Sequence, residues 1–290
     1  MKFEQYADFA RTQWNLAMSG SEHFSLDKCT DREKVSFWDE KSSSYDLGIG
    51  ADFRRVNAAM ERLEKFGAFG PNAIALDIGS GTGAYALALS AKCGTVYALD
   101  SSPGMQKVLA EKAAARRIKN IIPVLADWQT VRKGELPGAF DIVLSSLNTG
   151  ISDYDSLVKM NTLSRNVCCY IAPSGTSFHS SRADFQKIIF GRELHIAGGN
   201  DIIHAFNIIY GLGMRPELTY APCEWSLAQS PEDALYAVCR DFSRYTEISS
   251  DLRAELKAYI LSHLNEEGLF VQRQTSTVGI MVWSPKSCAL

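Results

Sequence analysis

Residues 76–85, LDIGSGTGAY (Leu76 to Tyr85), put three glycines into five positions directly behind an apolar run that ends in an acid. Glycine reaches the backbone angles of so tight a strand-to-helix turn without strain, and it lets a ligand approach the main chain closely. Ala84 opens a helical pattern behind Gly79, Gly81 and Gly83. The start of a helix offers unpaired N–H groups and a positive dipole end, so the turn suits a polar or anionic ligand group. Outward from it, short apolar runs alternate with helical patterns: AIALDIG, YALALSAK, TVYALD, MQKVLAEKAAARR, IIPVLAD and FDIVLSS. That alternation predicts βαβ units and a parallel sheet with helices on both faces, joined by right-handed crossovers.

In an open α/β sheet, ligands bind at the carboxyl ends of the strands, where this turn lies. A P-loop needs a lysine after its glycines and none follows here. The dinucleotide pattern in its alanine variant does fit G-S-G-T-G-A. Against it stands Asp77, whose carboxylate would confront a pyrophosphate held at the same turn. A carboxylate there suits a ligand end that carries an ammonium beside a carboxylate. Asp100 ends the run TVYALD, 21 positions after Gly79, where an acid can accept hydrogen bonds from both ribose hydroxyls of an adenosine. Both remaining readings expect that acid. The third run, IIPVLADW, ends in Asp127 and Trp128, which a dinucleotide pattern does not demand.

The element D-x-G-x-G-x-G, present as Asp77, Gly79, Gly81 and Gly83, resembles motif I of the class I S-adenosylmethionine (SAM)-dependent methyltransferases. The resemblance implies a doubly wound, mostly parallel seven-stranded sheet with an antiparallel last strand, and SAM as cofactor. It implies that Asp77 and the turn face the methionine end, that Asp100 faces the ribose, that Asp127 caps the adenine amine with Trp128 packing on the ring, and that Ser80 and Ser101 belong to the cofactor site. AFDIVLSSLNTGISD is similar to the family's fourth strand, which places Asn148 at the mouth where acceptor and methyl meet. It lacks the Asn/Asp-Pro-Pro-Tyr motif that serves N-methylation of amides and exocyclic amines. FWDEKSSSYD resembles the family's W-D-x-x-A-x-x-Y-D segment, which makes Trp38 and Tyr45 lid residues over the cofactor.

With 290 residues the chain can bury a large core, and its 46% hydrophobic and 22% charged residues are those of a globular protein. A net charge of -3 gives no overall field for nucleic acid. No signal peptide or run of about 18 apolar residues is visible, so the expectation is a soluble, cytoplasmic protein without membrane contact. Seven scattered cysteines without a C-x-x-C pair read as free thiols, with no metal site. The chain divides into an N-terminal helical lid (1–70), a SAM-binding Rossmann-like core (71–173), and a remainder (174–290) that carries the last strands and a helical substrate-pocket insertion. In the remainder, NVCCYIA reads as a fifth strand stopped by PSG, DIIHAFNIIYGLG as a helix capped by Gly211 or Gly213, and LFVQRQ with TVGIMVWS as an edge hairpin. Asn200, Asp201, Asn207 and Tyr210 are expected to line a closed small-molecule pocket. His179, His195 and His204 are candidate bases, but the sequence identifies no catalytic residue and sets no oligomeric state. The expected function is transfer of a methyl group from SAM to a small-molecule acceptor. The alternatives are an NAD(P)-dependent oxidoreductase and a non-catalytic SAM-binding regulatory protein.

Overall fold

The computed structural model describes residues 3–22, 26–47, 53–195 and 198–285. Positions 48–52 of the lid stretch and Cys288 lie outside the described residues. Among the described residues three α-helices come first: α1 (Phe3–Gly20), α2 (Asp31–Lys41) and α3 (Arg54–Lys65). The βαβ pattern follows as β1 (Gly70–Ile78), α4 (Ala84–Ser90), β2 (Cys93–Asp100), α5 (Pro103–Ala115), β3 (Ile121–Leu125), β4 (Phe140–Ser146), α6 (Tyr154–Leu163) and β5 (Ser164–His179). The remainder holds α7 (Arg182–Phe190), α8 (Ile202–Gly211), β6 (Glu217–Gln229), α9 (Pro231–Ser243), α10 (Ser250–Ser262) and β7 (Phe270–Trp283).

The strands form one seven-stranded sheet in the order β3-β2-β1-β4-β5-β7-β6. Neighbours from β3 to β5 pair in parallel, and β7 runs antiparallel to both β5 and β6. The expected seven-stranded architecture is therefore present. Period-2 alternation in the strands divides the core between the two faces. Leu76, Ile78, Val143, Cys168 and Trp283 pack with α1, α6 and α8 on one side. Ala75, Ala98, Leu144, Cys169 and Val282 pack with α3, α4 and α5 on the other. Adjacent Cys168 and Cys169 thus fill opposite faces as free, fully buried thiols, which is the packing role expected of them.

Three sequence expectations need correction. The PSG triplet does not stop the fifth strand: β5 continues to His179, and Pro173 pairs with Val278. Pairing with β4 ends at Ile171, so beyond it the missing proline N–H faces no strand on that side. The stretches LFVQRQ and TVGIMVWS are not an edge hairpin but one strand between β5 and β6, with no glycine, proline or asparagine between them to turn the chain. Gly211 does not cap α8. It is helical and lies where a Cβ would sit 2.9 Å from the Ala7 backbone, while Gly213, at φ +90°, takes the left-handed position beyond the helix.

Beyond the main sheet, β5, β6 and β7 extend to carry α7, α9 and α10. These helices enclose a separate cluster of Phe185, Leu235, Val238, Leu256, Ile260 and Phe270. The burial pattern of β7 records the change of setting: it alternates through residues 272–277 and is continuous from Val278 to Trp283, where both faces are covered.

Candidate functional site

Asp77 is the penultimate residue of β1, registered between Ala98 of β2 and Leu144 of β4, and it is 1% exposed. After it Gly79, Gly81 and Gly83 take φ values of +69°, +52° and +92°. These angles carry the chain back over β2, where the N–H groups of Gly79 and Ser80 both donate to the Leu99 carbonyl at 2.8 and 2.9 Å. The first and third glycines have a second reason to be small. A Cβ at Gly79 would sit 2.5 Å from Cγ of Asn148, and one at Gly83 would sit 2.2 Å from Cδ1 of Leu109. At Gly81 the space is open.

Asp100 ends β2 and ties the turn to the next helix. Its Oδ2 accepts from the Gly81 N–H at 2.8 Å and its Oδ1 from the Ser102 N–H at 2.9 Å. The Ser101 N–H also favours its charged form, whereas burial raises its pKa overall. Asp77 is more perturbed. Burial first, then the charge of Asp100, push its pKa up to about 7, with only the Ala86 N–H opposing. Its Oδ2 is buried and accepts no hydrogen bond, and the buried Ser80 Oγ is likewise unpartnered.

Asn148 follows Leu147, which is held at φ +50°, and its Oδ1 accepts from the Gly150 N–H at 2.8 Å. Its side chain covers Gly79, which brings the end of β4 to the glycine turn. Asp127 lies beyond β3 and accepts from the Gln129 N–H at 2.8 Å. Trp128 is packed as core, 2% exposed, donating from Nε1 to the Ser156 carbonyl at 3.2 Å with Lys159 Nζ 4.3 Å from its ring centre.

The lid segment reaches the same place. Trp38 and Tyr45 meet edge to face, with ring centres 6.3 Å apart, and Tyr45 lies near enough to Arg55 and Asp100 to feel both charges. Sequence reasoning missed the acids beside these aromatics. Asp39 Oδ1 accepts from Ser102 Oγ at 2.5 Å and from the Gly104 N–H at 2.8 Å, so it joins Ser102 in capping α5. Asp46 accepts from Thr82 Oγ1 at 2.7 Å and pairs with Lys112, which also bonds the Thr82 carbonyl. Both acids were legible in the quoted W-D and Y-D pairs, but nothing local showed that they bind the core.

The three histidines do not converge. His179 ends β5, and burial with the nearby Arg182 charge lowers its pKa to about 4. His204 stacks on Trp14, and the His195 N–H bonds Glu22. Two of the polar residues expected to line a pocket along α8 make hydrogen bonds within the fold. Asp201 caps α8 and accepts from the Gly175 N–H, while Asn207 accepts from the Tyr6 hydroxyl. The reason is that α8 packs its apolar face on the sheet beside α1, through Ile202, Ala205, Ile208 and Ile209. No group of three or more metal-ligating side chains occurs among the described residues, and no described helix is long and apolar enough to cross a membrane.

A turn of three left-handed glycines, a buried carboxylate with one unpartnered oxygen, and a second acid bound to the turn suit an aminoacyl-adenosyl ligand. Residues 75–167 match the family described as methyltransferase domain. Over these residues the chain is similar to methyltransferase domains. An uncharacterised protein of Haemophilus influenzae is 29% identical over 186 residues, which is 63% of this chain and 66% of that protein. The chain therefore spans just under two thirds of that relative. Among solved structures, the YcgJ protein of Bacillus subtilis is 12% identical, with 78% of this chain and 98% of that one covered and a TM-score of 0.47. A phosphoethanolamine N-methyltransferase of Haemonchus contortus, solved with phosphomonomethylethanolamine and S-adenosylhomocysteine (SAH), is 16% identical over 79% of this chain and 52% of that one, with a TM-score of 0.44.

Proposed function

We propose that the protein transfers a methyl group from SAM to a small-molecule acceptor. One observation carries the reading: Asp77 is buried with an unpartnered Oδ2 beside a glycine turn that is open at Gly81. A buried carboxylate of that kind calls for a cation, and the ammonium of a bound methionine end supplies one where a pyrophosphate would add a second negative charge. Asp100 gives lone pairs to the Gly81, Ser101 and Ser102 N–H groups and keeps the remainder for ribose hydroxyls. Asp127 is assigned the adenine amine, Ser80 and Ser101 the flanking contacts, and Trp38 with Tyr45 the cover that excludes water.

SAM supplies a sulfonium-bound methyl with a good leaving group. The chain then has mainly to hold two partners in line and dry, which is where proximity and orientation act. Asn148, fixed over Gly79 by its bond to Gly150, marks the mouth where the acceptor is received. A dedicated base is required only for an acceptor that must lose a proton. His179, whose pKa burial and the nearby Arg182 charge lower to about 4, is a weak base.

The test is a thermal-shift comparison of SAM, SAH and NAD on the full chain. SAM and SAH at about 100 times their Kd should each stabilise it by about 2.7 kcal/mol. Stabilisation by NAD alone would overturn the reading. Binding of SAM without turnover on any acceptor would favour a regulatory protein instead.

A further inference from the structure

Between Gly81 and Gly83 of the glycine turn stands Thr82, the residue there with a side chain, and it is 2% exposed. Its flanking glycines hold φ values of +52° and +92°. Glycine loses more conformational freedom on folding than any other residue, so a turn built this way keeps one shape only where its neighbours fix it. Thr82 is the handle by which they do. Its Oγ1 donates to Asp46 Oδ1 at 2.7 Å, and its carbonyl accepts from Lys112 Nζ at 3.0 Å. Asp46 Oδ2 and Lys112 Nζ are themselves an ion pair, which closes the three residues into a ring. Three elements meet in it: the lid at Asp46, the turn at Thr82 and α5 at Lys112.

The N–H groups of the turn are bonded within the βαβ unit that contains it: those of Gly79 and Ser80 to the Leu99 carbonyl, that of Gly81 to Asp100 and that of Gly83 to the Ser80 carbonyl. Asp46 reaches the turn from 36 residues away, in the short 3₁₀ turn Tyr45–Leu47. The strap that carries it runs along α5. Asp39 is fastened at Gly104 and Asp46 at Lys112, eight residues and about 12 Å further along that helix. Of the two hydroxyls in the turn, that of Ser80 is buried without a partner and is left for a ligand, whereas that of Thr82 is committed to the lid. The Asp46 and Lys112 side chains are 37% and 28% exposed, so their pair is partly shielded and stronger than one on an open surface.

We propose that Asp46 is a positioning residue for the cofactor: acting through Thr82, with Lys112 as its counter-charge, it holds residues 81–83 in the form that receives the methionine end. This rests on the methyltransferase reading and gives that site a residue from outside the turn. The lid is then more than a cover. Seating the lid and ordering the turn are one event, so a methionine end bound against the turn also steadies the lid.

The test compares, by calorimetry on the full chain, the binding of SAH with that of 5′-methylthioadenosine, which keeps the adenosine and the sulfur but lacks the amino-acid end. Asp46→Asn should weaken SAH about tenfold and leave 5′-methylthioadenosine within about threefold of the wild type. Thr82→Val, which keeps the shape of the side chain and removes its hydroxyl, should do the same, whereas Thr82→Ser, which keeps the hydroxyl, should bind SAH like the wild type. Because Asp46 and Thr82 act as one unit, the double variant Asp46→Asn with Thr82→Val should bind SAH no more weakly than the weaker of the two single variants. Equal losses for the two ligands, additive losses in the double variant, or an unchanged SAH affinity in Asp46→Asn would overturn the proposal. Failure of the wild-type chain to bind SAH would instead overturn the methyltransferase reading on which it rests.

Discussion

At Asp77 the folded chain pays a pH-dependent cost that its ligand can remove. In the unfolded chain the carboxyl titrates near its ordinary 3.8, and in the fold near 7, so between these values the folded state binds the extra proton. Stability from this group is therefore greatest at low pH, falls as pH rises from about 4 to about 7, and is level above. Asp77→Asn removes the titration. The difference in Tm between variant and wild type, both without ligand, should grow in the variant's favour from pH 5 to pH 8, and a constant difference would refute this account of Asp77. The same variant should bind SAM at least tenfold more weakly at pH 8, since an ammonium gains more from a carboxylate than from an amide. In the wild type, SAM affinity should rise through pH 7, because binding must displace the proton. Gly79→Ala tests the turn rather than the charge. Its φ of +69° and the Asn148 side chain 2.5 Å from the added Cβ together should cost about 1 to 3 kcal/mol. Urea unfolding would measure this, and a neutral result would mean that Asn148 moves freely aside.

Among the elements, the first four strands were legible because each ends in a local signal: glycines after β1, Ser-Ser-Pro after β2, an acid after β3, Asn-Thr-Gly after β4. The extensions of β5 and β7 were not, because whether Pro173 ends a strand depends on where its neighbour β4 stops, which no local pattern contains. The same limit divides the candidate site. Asp77, Gly79, Gly81, Gly83 and Asp100 lie within one βαβ unit and could be read from spacing. Asp39 and Asp46 reach their partners at Gly104 and Thr82 across 65 and 36 residues, so their part in holding the lid needed the fold. The role of α2 yields its own prediction. Asp39→Ala removes two hydrogen bonds that fasten α2 to the start of α5, at a cost of about 1 to 3 kcal/mol. Hydrogen exchange should accelerate in residues 31–47 while β1, β2 and β4 keep their protection. Equal acceleration in the strands would mean that the lid is integral to the core rather than latched onto it.

On the scale of the whole molecule, the sheet's two faces hold the cofactor turn, whereas α7, α9 and α10 close on a cluster of their own at the far ends of β5, β6 and β7. Phe185 is the centre of that cluster, 2% exposed, with ring centres of Tyr259, Phe270 and Phe242 at 5.2, 6.0 and 6.5 Å. Phe185→Ala should cost about 3 to 5 kcal/mol of local stability. Because cooperative units open separately when few apolar contacts join them, the loss should fall on this unit and on the part of α2 tied to it through Lys41 and Asp241. Asp77, Asp100 and the glycine turn belong to other contacts and should be spared. SAH affinity, measured by calorimetry at a temperature where the variant's sheet is intact, should then stay within about tenfold of the wild type. Exchange protection should disappear from α7, α9 and α10 first. If SAH binding collapses together with that protection, the helical unit and the cofactor domain form one cooperative structure, and the division of labour between them is lost.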